Sequence, residues 1–120
     1  QLYNFWFAKE HIAKTSFAII LESPGNVWKL EENGVHNSVG IFGTNLSQQQ
    51  KLLLDSSGAM SLVIIMDNDE AGAKAAKNIM DKCSRTYNIY TIQVEKNDIG
   101  EMSSSEIQTQ IIDKIKELPL

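Results

Sequence analysis

The feature that most constrains this chain is an apolar run that ends in acid. In "SLVIIMDNDEAGAKAAKNI", residues 61–79, a continuous β-branched stretch stops at Asp67, Asn68, Asp69 and Glu70. A strand apolar at every position is one covered on both faces, so other layers must lie on either side of it. Carboxylates are poor strand formers and repel one another, so closing a buried strand with them needs a physical reason.

Other segments follow the same scheme. "AIILE", 18–22, is an apolar run closing on Glu22, "SVGIF", 38–42, reads as a short strand, and "NIYTIQVE", 88–95, alternates as a fourth. Between them, "NVWKLEEN" predicts a short helix with Val27, Leu30 and Trp28 on one side and Gly34 as its stop. Ser47 and Gln50 form a capping box that opens a helix whose buried side is Leu52, Leu53 and Leu54. Ala71 to Cys83 is helical with an apolar stripe of Ala75, Ala76, Ile79, Met80 and Cys83. Ser103 and Glu106 make a second box, ahead of Ile107, Ile111, Ile112, Ile115 and Leu118. The first sixteen residues read as an amphipathic helix with Phe5 and Trp6, packed on this domain or on another.

The order is therefore a helix, then strand–helix repeated four times. That alternation means an α/β fold: about four strands, mostly parallel, between helical layers. The division expected is residues 1–16 as a helix leading into the core and 17–120 as the domain itself. In such sheets ligands sit at the carboxyl ends of the strands. Glu22, Gly43-Thr44, the Asp67/Asp69 pair and Asp98 all fall there.

At 120 residues the chain is one domain's worth. No apolar run approaches the roughly 18 residues of a membrane span, so a soluble, membrane-free protein is expected. A start at Gln1 is expected of a fragment of a longer protein. The single cysteine, Cys83, excludes an internal disulfide and a cysteine-rich zinc site and suits a cytoplasmic location. A net charge of −4 is the wrong sign for gripping nucleic acid directly, so any such role must act through bound cations or basic surfaces elsewhere.

In extended chain, residues two apart point the same way, so Asp67 and Asp69 can face one site while Asn68 turns away. Glu22 joins them if its strand neighbours theirs. Two carboxylates about 4 Å apart repel by about 4 kcal/mol at an effective dielectric of about 20. Protonation, a cationic side chain or a hard divalent ion can relieve this. With oxygen donors and no His or Cys, the ion is Mg²⁺ or Mn²⁺ rather than zinc. The plainer alternative is helix capping by an Asp. Gly43 and Thr44 have two readings as well: a phosphate cradle through backbone amides, or a turn feeding the Ser47 cap. Neither a P-loop nor a G-x-G-x-x-G fingerprint is present. His11 and His36 read as surface residues, Trp6 and Trp28 as packing, and Cys83 as core.

Together, Glu22, the Gly43-Thr44 turn, "DNDEAG" and Asp98 resemble a Toprim domain, the α/β (Rossmann-like) fold shared by bacterial-type primases, type IA and type II topoisomerases and several nucleases. "FGTNLSQQQKLLL", "DNDEAGAKAA" and the opening "LYNFWFAKEHI" are similar to the primase branch. The resemblance implies a Mg²⁺-dependent nucleotidyl transferase making RNA primers on single-stranded DNA during replication, in a bacterial or phage-infected cell. Its partners would be the DNA template and NTPs, reached through the parent protein, and possible contact with a replicative helicase. It implies Glu22 as general acid/base or metal-associated, Asp67 and Asp69 as the metal-binding pair, and Asp98 as the first acid of the late motif. It departs from the family where the glycine after the glutamate is Ser23, the first-motif aspartate is Asn26, and the late motif has Ile99 and Gly100 before Glu101. The alternatives are a Toprim nuclease or topoisomerase, with Tyr87 and Tyr90 poorly placed as nucleophiles, and a non-catalytic module whose acids serve as caps. Haloacid-dehalogenase phosphatases are discounted because Gly72 and Ala71 follow the second Asp.

Overall fold

The computed structural model describes residues 1–120. Its elements run α1 (Phe5–Thr15), β1 (Phe17–Leu21), α2 (Pro24–Glu32), β2 (Ser38–Gly40), α3 (Gln48–Ser56), β3 (Ser61–Ile64), α4 (Glu70–Cys83) and β4 (Asn88–Thr91). A 3₁₀ turn (Ile99–Glu101) then leads into a last helix made of α5 (Ser104–Ile107), a π-helical stretch (Gln108–Ile112) and α6 (Asp113–Glu117). The four strands pair in the order β2-β1-β3-β4, all parallel. The expected α/β sheet is therefore present.

β2, β3 and β4 are shorter than the segments read from the sequence, although hydrogen bonding across the sheet continues one residue past each of them. Ile41 N–H still donates to Leu21 O, Ile65 N–H to Ile20 O and Ile92 N–H to Ile64 O. The side chains alternate as a two-sided sheet requires. Ala18, Ile20, Leu62 and Ile64 face one core with Phe5, Ala8 and Ile12 of α1, Leu54 of α3, and Ala75, Ile79 and Cys83 of α4. Ile19, Leu21, Val63 and Ile65 face a second core with Val27 and Leu30 of α2, Ile99, Met102, Ile107 and Ile111. The leading helix thus packs on this domain.

This arrangement creates a switch point. From β1 the chain crosses through α2 on one face to β2; from β3 it crosses through α4 on the other face to β4. The two connections diverge, which leaves a crevice outside the carboxyl ends of β1 and β3.

Local signals behaved as expected. Both capping boxes are formed, Ser47 with Gln50 and Ser103 with Glu106. Gly34 takes a left-handed φ of 80° just past α2, with Val35 N–H closing on Leu30 O. Cys83 is buried and unpaired. His36 Nδ1 lies 2.7 Å from Glu31 Oε1, and its ring stacks tilted on that of His11.

Four burial expectations are corrected. Trp6 and Trp28 are not packed inside but 72% and 62% exposed. Trp6 follows Phe5 on α1 and so points off the face that Phe5 buries, while Trp28 leans outward to donate to Tyr3 Oη. Leu52 and Met80 are also exposed, and on each helix only one narrow stripe (Leu54 on α3; Ala75, Ile79 and Cys83 on α4) reaches the sheet.

Ile20 is fully buried at the centre of the sheet, pairing with both Val39 and Ile64. Ile20→Ala is expected to cost about 2–5 kcal/mol in urea unfolding, whereas Leu52→Ala on the exposed side of α3 stays within about 0.5 kcal/mol.

Candidate functional site

The crevice at the switch point gathers four acids from three separate connections. Glu22 follows β1, Asp67 and Asp69 follow β3, and Asp98 precedes the 3₁₀ turn. Because β1 and β3 are neighbours in register, Asp67 N–H donates to Glu22 Oε1 at 3.0 Å. Asp69 Oδ1 accepts from Gly72 N–H at 2.7 Å and caps α4. Asp98 Oδ1 accepts from Glu101 N–H at 3.1 Å and caps the 3₁₀ turn. Asp67 Oδ1 accepts from Asn26 Nδ2 at 3.1 Å.

Each acid is thus pinned through one oxygen. The second oxygen of each makes no hydrogen bond to the protein, and none of the four is ion-paired. They share one electrostatic field. Burial pushes the Glu22 carboxyl above its ordinary pKa, and the charges of Asp67 and Asp69 add to the rise although the Asp67 N–H opposes it. Burial likewise pushes Asp67 up, helped by Asp98 and Asp69 and opposed by the bond from Asn26. No three of the His, Cys, Asp or Glu side chains stand close enough to form a ready-made ligand set. The donor chemistry nevertheless fits a hard divalent cation: three half-buried acids (Glu22, Asp67, Asp98) and the exposed Asp69, mutual repulsion at Glu22 and Asp67, no cationic partner, and one free oxygen per acid.

Gly43 and Thr44 lie in an exposed loop at the same end of the sheet. They adjoin Glu22 through the backbone, since Phe42 N–H donates to Glu22 O at 2.9 Å. Phe42 and Gly43 both hold positive φ, 59° and 123°. The loop is fastened to α4 by Asn45, which accepts from Asn78 and Lys82, and by Leu46 N–H, which donates to Asn78. The Ser47 cap reading is satisfied, and none of the four acids' side chains hydrogen-bonds to Gly43 or Thr44.

Three residues that sequence reasoning gave no site role prove central to the geometry. Asn26 is buried and also accepts from Gly100 N–H at 3.2 Å, tying the 98–101 turn to Asp67. Asn68 does turn away, and its side chain fastens the segment after β4 by donating to Val94 O and Lys96 O and accepting from Gln93. Gly72 lets α4 start directly against the end of β3: a Cβ there would lie 1.9 Å from Asp67 O. The Ala-Gly pair in "DNDEAG" was the signal for that last one. Beside Asp67 and Asp69 an open cleft of about 870 Å³ runs between α4 and β4, floored by Ile64, Met66 and Ala76.

With this geometry established, comparison with known proteins is decisive. The sequence model described as the Toprim domain matches residues 16–93. The chain belongs to the Toprim family. It is similar to the DNA primase of Aquifex aeolicus, 38% identical over 78 residues, which is 65% of this chain and 16% of that protein. The DNA primase of Synechococcus elongatus is 41% identical over 71 residues, 58% of this chain and 10% of the relative. The chain therefore spans well under a fifth of these relatives. Among solved structures, the Aquifex aeolicus primase (zinc binding and RNA polymerase domains) superposes with a TM-score of 0.73 at 27% identity, over 97% of this chain and 28% of that one. The RNA polymerase domain of Mycobacterium tuberculosis primase, solved with double-stranded DNA, shares the fold with a TM-score of 0.75 at 20% identity, over 92% of this chain and 38% of that one. This is a Toprim domain of the primase kind. No helix is long and apolar enough to cross a membrane.

Two tests follow from the site's geometry. Gly72→Ala forces α4 away from Asp67 and is expected to cost about 1–3 kcal/mol in chemical denaturation. The raised carboxyls give a sign to the pH dependence. Glu22 and Asp67 keep their protons to higher pH when folded than when unfolded, so their contribution to stability is intact below the ordinary carboxylate pKa and is lost as pH rises through the raised one. Measured without divalent ions, the melting temperature of Glu22→Gln relative to wild type should therefore climb across that range and level off above it.

Proposed function

We propose that this domain is the catalytic Toprim module of a DNA primase and that its crevice holds Mg²⁺ or Mn²⁺ for nucleotidyl transfer. The observation that carries this reading is the set of four unpaired carboxylates at the switch point, each with one oxygen committed inward and one left over. The similarity to DNA primases supports it.

On this reading Asp67, Asp69 and Asp98 offer their free oxygens to the cation. When bound, the ion would supply charge neutralisation at the phosphates and acidify an attacking 3′-hydroxyl. Glu22 takes the general acid/base role: its carboxyl is pushed up by burial and neighbouring charge, so it exchanges a proton closer to neutral pH than an ordinary glutamate does. Asp67 N–H holds that carboxylate in place through Oε1, leaving Oε2 for the proton. The Gly43-Thr44 loop, with its backbone amides exposed, steadies a phosphate. A single-stranded DNA template and NTPs would be engaged together with the rest of the parent protein, where a replicative helicase could also dock, because a chain of net charge −4 has little to hold polyanions by itself.

A topoisomerase-type reading lacks support from the tyrosines. Tyr87 is buried, donates to Asp55 Oδ1 at 2.6 Å, and has its hydroxyl pushed up by burial and by that carboxylate, the opposite of an activated nucleophile.

Calorimetric titration checks the reading. Wild type is expected to bind Mn²⁺ weakly and Asp67→Asn to lose most of that binding, while primer synthesis by the domain alone stays slight. Unchanged Mn²⁺ binding in Asp67→Asn would leave the acids as caps only, and robust synthesis by the domain alone would refute the dependence on the parent protein.

A further inference from the structure

We propose that Asn26 is the positioning residue of the acidic crevice: a neutral clamp that orients Asp67 and ties the Asp98 turn to it. This rests on reading the crevice as a divalent-cation site. Asn26 sits in the first turns of α2 with its side chain turned inward rather than to solvent, and it is 4% exposed. A buried amide must satisfy both its donor and its acceptor, and this one does so with two segments remote in sequence. Its Nδ2 donates to Asp67 Oδ1, and its Oδ1 accepts from Gly100 N–H.

The two bonds do different work. The first fixes one oxygen of Asp67, so that the carboxylate cannot rotate and its other oxygen has a set direction. The second holds the turn in which Asp98 caps Glu101 N–H. Asn26 is the one side chain that bonds both to an acid after β3 and to the turn carrying the last acid. An aspartate at this position could still accept from Gly100 but could not donate to Asp67, and it would put a further carboxylate about where the amide now stands. An alanine could do neither. Partners that orient a ligating carboxylate typically change metal affinity by about 10–100-fold when removed.

The experiment compares wild type, Asn26→Ala and Asn26→Asp in the full 120-residue chain. It reads Mn²⁺ affinity by calorimetry and the hydrogen exchange of the Gly100 amide by NMR without metal. In Asn26→Ala, Mn²⁺ affinity is expected to fall by about tenfold or more, and Gly100 loses its protection. In Asn26→Asp, Gly100 stays protected while Mn²⁺ binding tightens, because a charge has replaced the donor. Wild-type affinity in both variants, or full Gly100 protection in Asn26→Ala, would overturn the clamp. If no protein binds Mn²⁺ but Gly100 exchange responds as described, the clamp stands and the cation reading fails. Should Asn26→Ala not fold, Asn26→Leu, of similar volume and with neither donor nor acceptor, is read in its place: wild-type Mn²⁺ affinity there overturns the role in orienting Asp67.

Discussion

Strands β1 and β3 lie side by side, parallel and in register, with their connections leaving toward opposite faces of the sheet. Glu22 and Asp67 therefore emerge as neighbours, and the Asp67 N–H closes on the Glu22 carboxylate. Every other part of the crevice is arranged around that bond. Asp69 is placed by the start of α4, which reaches β3 only because Gly72 has no side chain to strike Asp67 O. Asp98 is brought in by a turn fastened through Asn26 and, from the other side, through Asn68.

Capping and cation binding are not rival explanations of the acids. A carboxylate has two oxygens, and here each acid spends one on an inward N–H donor. Those bonds offset part of the cost of holding four like charges near one another, and they also remove rotational freedom that a bound ion would otherwise have to freeze. The residual strain shows in Glu22 and Asp67, whose carboxyls remain pushed up despite their donors. On the proposed reading, it is this unrelieved repulsion, with no lysine or arginine partner, that a divalent cation would offset.

Much of this was legible beforehand because it is local. The capping boxes at Ser47 and Ser103 depend on residues three apart, and the burial of β3 depends on a continuous apolar run. That Asp67 and Asp69 could face one site was read from their spacing alone. Glu22 was conditional, since its inclusion needed β1 beside β3. Asn26 counted in the sequence only as a missing aspartate, because its two partners lie 41 and 74 residues away. The aromatic side chains misled for a related reason: hydrophobicity marks Trp6 and Trp28 as core candidates, but only the helix rotation fixed by Phe5, Val27 and Leu30 decides which side faces water.

What the sequence determined by itself was the alphabet of the fold: alternating strands and helices, their caps, and the acids waiting at strand tips. Those are written in periodicity and in short-range hydrogen bonding. The tertiary structure alone decided the order β2-β1-β3-β4, and with it which tips meet and which oxygen of each acid is spent. The reason is physical. A buried strand satisfies its own backbone with any parallel neighbour, so pairing is chosen by the simultaneous filling of two cores, a condition that no single segment contains.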